Sequence, residues 1–318
     1  MNEQLKSAAE IALLRCMGAR PEERVLIVTD THLHELGYIF FEMAQKIGTE
    51  ALLMEMLPRF SSGEEPPAAV AAAMKEADVV LMVTEKSLSH TGARRNANAA
   101  GARVASLPGL TGDMMARALN ADYEQIRLLS TEISKLLTKG RTARLTSPAG
   151  TDIVFGLGTR EGHGDTGIYQ EKGMFGNLPA GEAYIAPIEG SAAGILVVDG
   201  SMAGVGKLRE PIVIKVAKGY AIDISGGEEA RQLNLLLEPH GRDARNIAEL
   251  GIGTNHQARL TGAVLEDEKV LGTVHVALGD NHTIGGVVEV SSHLDGIVLQ
   301  PTLEIDGDVL LKDGQMIK

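Results

Sequence analysis

Four mostly apolar runs of strand length constrain this chain most: residues 24–29 (RVLIVT), 50–56 (EALLMEM), 78–84 (DVVLMVT) and 103–107 (RVASL). Continuous apolar runs, unlike alternating ones, belong to strands covered on both faces. The stretches between them have helical patterning: 36–47 with Tyr38, Phe41 and Ala44 on one face, 68–76 (AAVAAAMKE) and 94–100. Residues 2–18 form a preceding helix, ended by Gly18 and Pro21, and residues 111–138 hold one or two more. Strand–helix alternation of this kind predicts a doubly wound parallel sheet built from right-handed crossovers.

The composition changes near residue 140, where Gly, Thr and Val replace the long Ala/Leu runs. Residues 142–145 and 152–157 alternate around the turn signal Ser147–Gly150 and read as a hairpin. Further strands are expected at 195–198, 212–216, 220–224, 263–265, 274–277 and 296–299. A closing pair, 302–305 and 309–311, lies around Asp306–Gly307. Residues 227–237 and 243–249 look helical. At 318 residues the chain has room for two domains. The expected architecture is α/β: an N-terminal Rossmann-like domain over 1–140 and an α+β metal-binding domain with mostly antiparallel strands over 141–318.

Several functions are disfavoured by composition and motif. A net charge of −12 with no Lys/Arg cluster offers no face for nucleic acid or an anionic membrane. The absence of Trp, with only five Tyr and five Phe, leaves no evident stacking platform for bases. The single Cys16 rules out an intrachain disulfide, and its apolar surroundings argue against a nucleophile. No signal peptide and no run of about 18 apolar residues is present, so a cytoplasmic protein is expected. No G-x-G-x-x-G follows the first strand, no phosphate-binding loop motif occurs, and no G-x-S-x-G offers an activated serine. His32 and His34 after the first strand, and His90 and Arg94 after the third, occupy the usual ligand-binding position of such sheets. Helix capping and surface roles are favoured for His32 and His34, while substrate binding and loop anchoring account equally for His90 and Arg94.

Metal chemistry is the positive signal. His293 and Asp295 are two apart in a strand-like run, so their side chains share a face. His275 lies in a Val/Thr-rich segment, and the Gly-rich connection 279–286 can fold the two segments together. Two histidines and a carboxylate suit zinc, cobalt, manganese or ferrous iron. Glu182 in NLPAGEAYIAP and Glu249 in ARNIAELGIGTN are acids in otherwise apolar surroundings. Together with Glu182 and Glu249, His275, His293 and Asp295 give five possible ligands, enough for two divalent ions.

These segments, in this order, resemble the metal-site segments of the M29 metallo-aminopeptidase family (aminopeptidase T-like), and SHTGARRNA extends the likeness into the first half. The resemblance implies a dimer with two ions, zinc, cobalt or manganese, that releases N-terminal residues from peptides. It makes Glu182, Glu249, His275, His293 and Asp295 the metal ligands and one of the two glutamates, or a nearby one, the general base. The chain departs from that pattern at Val270, where a glutamate is expected, and at His282, where a tyrosine is expected. The nearest acids are Glu266, Asp267 and Glu268. The same segments are similar to ferrous 2,5-dihydroxypyridine dioxygenases, in which His275, His293 and Asp295 would bind one Fe(II) and His282 would act as acid/base or substrate donor. The alternative to a peptide substrate is therefore a dihydroxypyridine-like small molecule. A third reading is a protein that binds a metal or small molecule without catalysis.

Overall fold

The computed structural model describes residues 3–317. The chain divides into two compact units. One comprises the chain up to Gln125 plus Gly167–Ala180; the other comprises Ile126–Thr166 and Gly181 onward.

The first unit is built on the expected parallel sheet. Its strand order is Glu50–Met56, Arg24–Asp30, Val79–Val83, Arg103–Ser106 and Phe175–Asn177, with every neighbouring pair parallel. Val79–Val83 is buried throughout, as its unbroken apolar run requires. On one face Leu26, Val28, Val80, Met82 and Val104 pack with Val70 and Met74 of the helix Ala68–Glu76 and with Ala93 and Ala97 of the helix Gly92–Ala99. The first helix differs from expectation in pitch: Glu3–Glu10 is α-helical, but Ile11–Cys16 winds as a π-helix and buries Cys16.

The helix His34–Ile47 is entered through a turn on Asp30, whose Oδ1 accepts from the amides of His32 (3.0 Å) and Leu33 (3.1 Å). Gly48, at φ 90°, closes the helix in the left-handed conformation. On this helix Gly37 rests on the first strand: a Cβ there would lie 2.7 Å from the Thr29 side chain. Gly37→Ala therefore sets a helix-propensity gain of about 1 kcal/mol against overpacking of about 1–3 kcal/mol. Net destabilisation is expected, and a urea midpoint equal to or above wild type would contradict this packing.

The second unit contains two antiparallel sheets. The eight-stranded one runs, in spatial order, Tyr220–Ser225, Ile212–Ala217, Ala193–Val198, Asp152–Gly156, Thr142–Thr146, Thr302–Ile305, Asp308–Lys312 and Gln315–Met316. The seven-stranded one runs Gly206–Lys207, Ser201–Met202, His293–Val298, Val274–Gly279, Ile247–Gly253, Glu182–Ile185 and His163–Asp165. Between them lies one apolar cluster: Leu145, Phe155 and Ile214 from the first sheet meet Ile185, Leu250, Ile252 and Val276 from the second, with Leu233 and Leu237 of the helix Glu228–Leu237 alongside.

Two local expectations are corrected here. Residues 243–249 are not helical: a short 3-10 turn, Asp243–Arg245, leads into the strand Ile247–Gly253. There Leu250 and Ile252 enter the core at the two-residue period of a strand, and Gly251 and Gly253 face the other way. Residues 263–265 are not a strand but begin the helical turn Val264–Asp267, held by Asp267, whose carboxylate accepts from the amides of Thr261 (2.7 Å) and Gly262 (2.9 Å). No helix among the described residues is long and apolar enough to cross a membrane.

Candidate metal centre

In an antiparallel sheet directly opposed residues project to the same face, and successive residues alternate. The register of the seven-stranded sheet therefore determines which side chains meet. Asp295 stands opposite Ala277, and Ala277 opposite Glu249. One step along, His275 stands opposite Gly251, Gly251 opposite Tyr184, and Tyr184 opposite His163. A further step sets Gly253 against Glu182 and Glu182 against Asp165. His293 lies on the same face two residues before Asp295. One face of this sheet thus carries hydrophobic core, and the other carries three histidines (His163, His275 and His293) and four carboxylates drawn from five adjacent strands.

The contacts confirm the convergence. His275 Nε2 lies 3.3 Å from Glu182 Oε2 and 3.3 Å from Glu249 Oε1. His293 Nε2 lies 3.5 Å from Glu249 Oε2 and 3.5 Å from Asp295 Oδ1. His293 Nδ1 is 2.7 Å from the Asp280 carbonyl. A carbonyl only accepts, so Nδ1 carries the proton and Nε2 is left toward the carboxylates, the orientation in which histidines bind metals.

The pocket is deeply buried. His275 has no exposed surface, and Glu182, Glu249 and Asp295 keep 8%, 7% and 7%. Burial alone lowers the His275 pKa, but the Glu249 hydrogen bond and the charges of Glu182, Glu249 and Asp295 outweigh it and raise it to about 9. Burial raises the Asp295 pKa, yet the adjacent His293, by charge and hydrogen bond, brings it down to about 2. The Tyr184 phenol is pushed upward by burial, then by Glu249 and Glu182.

Local sequence makes room for these groups. A Cβ on Gly251 would lie 1.9 Å from His275 Nε2, so the imidazole occupies the space of the missing side chain. A Cβ on Gly253 would lie 2.1 Å from the Val270 carbonyl, so this glycine admits the 269–270 backbone over the sheet face. That approach brings in a residue that sequence reasoning missed. The Lys269 ammonium, 1% exposed, lies 2.6 Å from Glu182 Oε1, 2.7 Å from Glu268 Oε1 and 3.8 Å from Asp165 Oδ2. Burial opposes its charge, but Glu182, Glu268 and Asp165 more than restore it and hold the pKa well above the ordinary lysine value. Burial, reinforced by Glu182 and Asp295, pushes the Glu268 carboxyl up to about 8 against the pull of Lys269. Of the acids near Val270, only Glu268 reaches the cluster. Glu266 accepts from the Arg259 amide (2.8 Å), and Asp267 holds the turn described above.

Whether these residues suit a metal ion is answered by the donor set. Glu182, Glu249 and His275 each offer one ligand atom within 4.8 Å of the others. Glu182 Oε2 is buried without a hydrogen-bond partner among the described residues. Adjacent ligands about 2.1 Å from one ion stand about 3 Å apart, close to the 3.3 Å separations found. The residues fit one divalent ion. Among the described residues this is the only such group, and a lysine stands where further carboxylates converge. The expectation of two zinc, cobalt or manganese ions is corrected to a single mononuclear site.

The remaining candidates lie elsewhere. His282 is exposed on the 3-10 turn His282–Ile284, next to the buried Asn281, whose Nδ2 donates to Glu189 (3.0 Å). His32 pairs with Glu85 and His34 with Glu55. Arg94 donates to the Ser89 carbonyl (2.7 Å) and stacks 4.3 Å over the Phe175 ring. The His90 backbone carbonyl accepts from Arg95 (3.0 Å).

A family model described as NicX, 2,5-dihydroxypyridine 5,6-dioxygenase, matches residues 7–318. The chain belongs to the 2,5-dihydroxypyridine 5,6-dioxygenase family. This family member is 26% identical over 223 residues to the 2,5-dihydroxypyridine 5,6-dioxygenase of Pseudomonas putida strain KT2440. That alignment covers 64% of this chain and spans 62% of the length of the curated relative. The structure of the 2,5-dihydroxypyridine dioxygenase from Pseudomonas putida KT2440 superposes with a TM-score of 0.84 at 21% identity, covering 100% of this chain and 98% of the other. Wild-type AmpT from Thermus thermophilus superposes with a TM-score of 0.75 at 16% identity over 99% of each chain. At such identities the two likenesses establish the fold. The family match overturns the metallo-aminopeptidase assignment, and with it the hydrolase and protease readings. The order of donor segments misled because it follows from the shared sheet, which does not choose between chemistries.

Proposed function

We propose that this family member is an iron-dependent ring-cleaving dioxygenase that acts on a dihydroxypyridine-like small molecule. The observation that carries this reading is the family match over residues 7–318; the single three-donor group supports it independently. The ion would be held by Glu182, Glu249 and His275, with His293 and Asp295 on its flank. When bound, ferrous iron supplies the redox chemistry that reaction with O₂ requires. The chain's own part is to position and to shield. Asp280 holds the His293 ring through Nδ1, which turns Nε2 toward Glu249 and Asp295. The deep burial of Glu182, Glu249 and Asp295 limits water around the reacting groups. A homodimer in a reducing cytoplasm belongs to the same reading.

The test is anaerobic loading with Fe(II), followed by oxygen-electrode measurement with 2,5-dihydroxypyridine. Iron near one per chain and oxygen uptake equimolar with loss of the pyridine absorbance are expected, with no release of amino acids from aminoacyl substrates. Iron-loaded protein that takes up no oxygen with any dihydroxypyridine would sink the proposal.

A further inference from the structure

Lysine is among the residues least often fully buried, because its ammonium loses hydration that only good partners can replace. Lys269 is buried and has three carboxylates around it: Glu182 and Glu268 at hydrogen-bond distance and Asp165 at 3.8 Å. An ammonium has three N–H groups and no lone pair, so it presents itself to these oxygens as a compact cation. Glu182 is the shared element. Its Oε1 accepts from Lys269 at 2.6 Å, and its Oε2 faces His275 Nε2 at 3.3 Å. One carboxylate thus reaches two neighbouring cation positions, as a bridging carboxylate does in a two-metal site, where the ions lie about 3.5–4 Å apart.

We infer that the Lys269 ammonium is a built-in cation occupying the second cation position of this centre, and that it thereby fixes the centre at one metal ion. The inference rests on the single-ion reading above. Three further features hold the ammonium in place. The Lys269 amide donates to the Glu266 carbonyl (2.9 Å), and the Lys269 carbonyl accepts from the buried Asn255 (2.8 Å). Gly253 clears the space through which the 269–270 backbone crosses the sheet. The charges are consistent: Asp165, Glu182, Glu249 and Asp295 supply four negative charges, of which an ammonium and one divalent ion offset three. Without the ammonium, Glu182 Oε1, Glu268 and Asp165 become buried oxygens in want of a cation.

The experiment counts ions with Mn(II) as the probe, by manganese analysis after desalting and by the electron paramagnetic resonance of free and bound Mn(II). Wild type is expected to take one ion per chain and to leave a second equivalent free. Lys269→Ala is expected to take two, with the spectral broadening of spin-coupled neighbours. Lys269→Gln, which keeps the stem, provides a second variant, and the same count of two is expected. If either variant folds only when Mn(II) is supplied, the count is made on the folded material. Two ions in wild type, or one ion in both variants, would overturn the inference. No ion at all in folded wild type would instead defeat the metal-centre reading itself, so the two failures are distinguishable.

Discussion

Replacing His275 by alanine is expected to leave a folded chain that no longer retains iron or consumes oxygen. His275 supplies the only nitrogen of the three-donor group and is the one member with no exposed surface. Changes to groups that merely support a metal ligand cost about 10–100-fold in affinity or activity; loss of the ligand nitrogen itself should exceed roughly 100-fold. The apolar face of the same sheet is untouched, so Leu250, Ile252 and Val276 keep their packing. The cost to stability should be about 1–3 kcal/mol, from the carboxylates left without a partner. Iron analysis and the urea midpoint separate the two effects. A His275→Ala chain that still carries one iron would remove His275 from the centre.

The second large effect comes from a residue with no side chain. Alanine at Gly251 would put a Cβ 1.9 Å from His275 Nε2, closer than any non-bonded pair tolerates. At Leu250–Ile252 the strand Ile247–Gly253 is paired on both sides, so the backbone at Gly251 has little room to move away. The imidazole must therefore swing out, breaking its contacts with Glu182 and Glu249 together. Gly251→Ala is expected to lower iron content and oxygen uptake nearly as far as His275→Ala, at an overpacking cost of about 1–3 kcal/mol. Gly112→Ala, where a new Cβ would meet nothing within 4 Å, is the control and should leave both unchanged. Full iron occupancy in Gly251→Ala would show that His275 is not held where the structure places it.

Much of this arrangement was legible in the chain. Apolar runs without alternation, as in Val79–Val83, identified the parallel sheet, since nothing but burial on both faces calls for such a run. The two-residue spacing of His293 and Asp295 placed them on one face, and the five metal-ligand candidates do converge. Lys269 and Asp165 were not legible. A lysine next to acids in EDEKV reads as a solvated surface, and its burial depends on a backbone crossing permitted by Gly253, a contact made in space rather than in sequence. The Glu249 segment misread as helix for a related reason: Ile247–Gly253 carries glycines where a half-buried strand would carry polar residues, so the alternation was muted. The chemistry was the least legible part, because segment order is a property of the sheet and the number of ions depends on Lys269.

Glu182, Glu249, His275, His293 and Asp295 come from four neighbouring strands, so no local stretch presents more than His293 and Asp295 together. Such a site has high contact order: it exists only once loops of many tens of residues have closed and the sheet is complete. An ion therefore cannot template early folding here. A bound ion would arrive last, and by mass action it would hold the finished sheet together, by about 2.7 kcal/mol when free metal is a hundredfold above its dissociation constant.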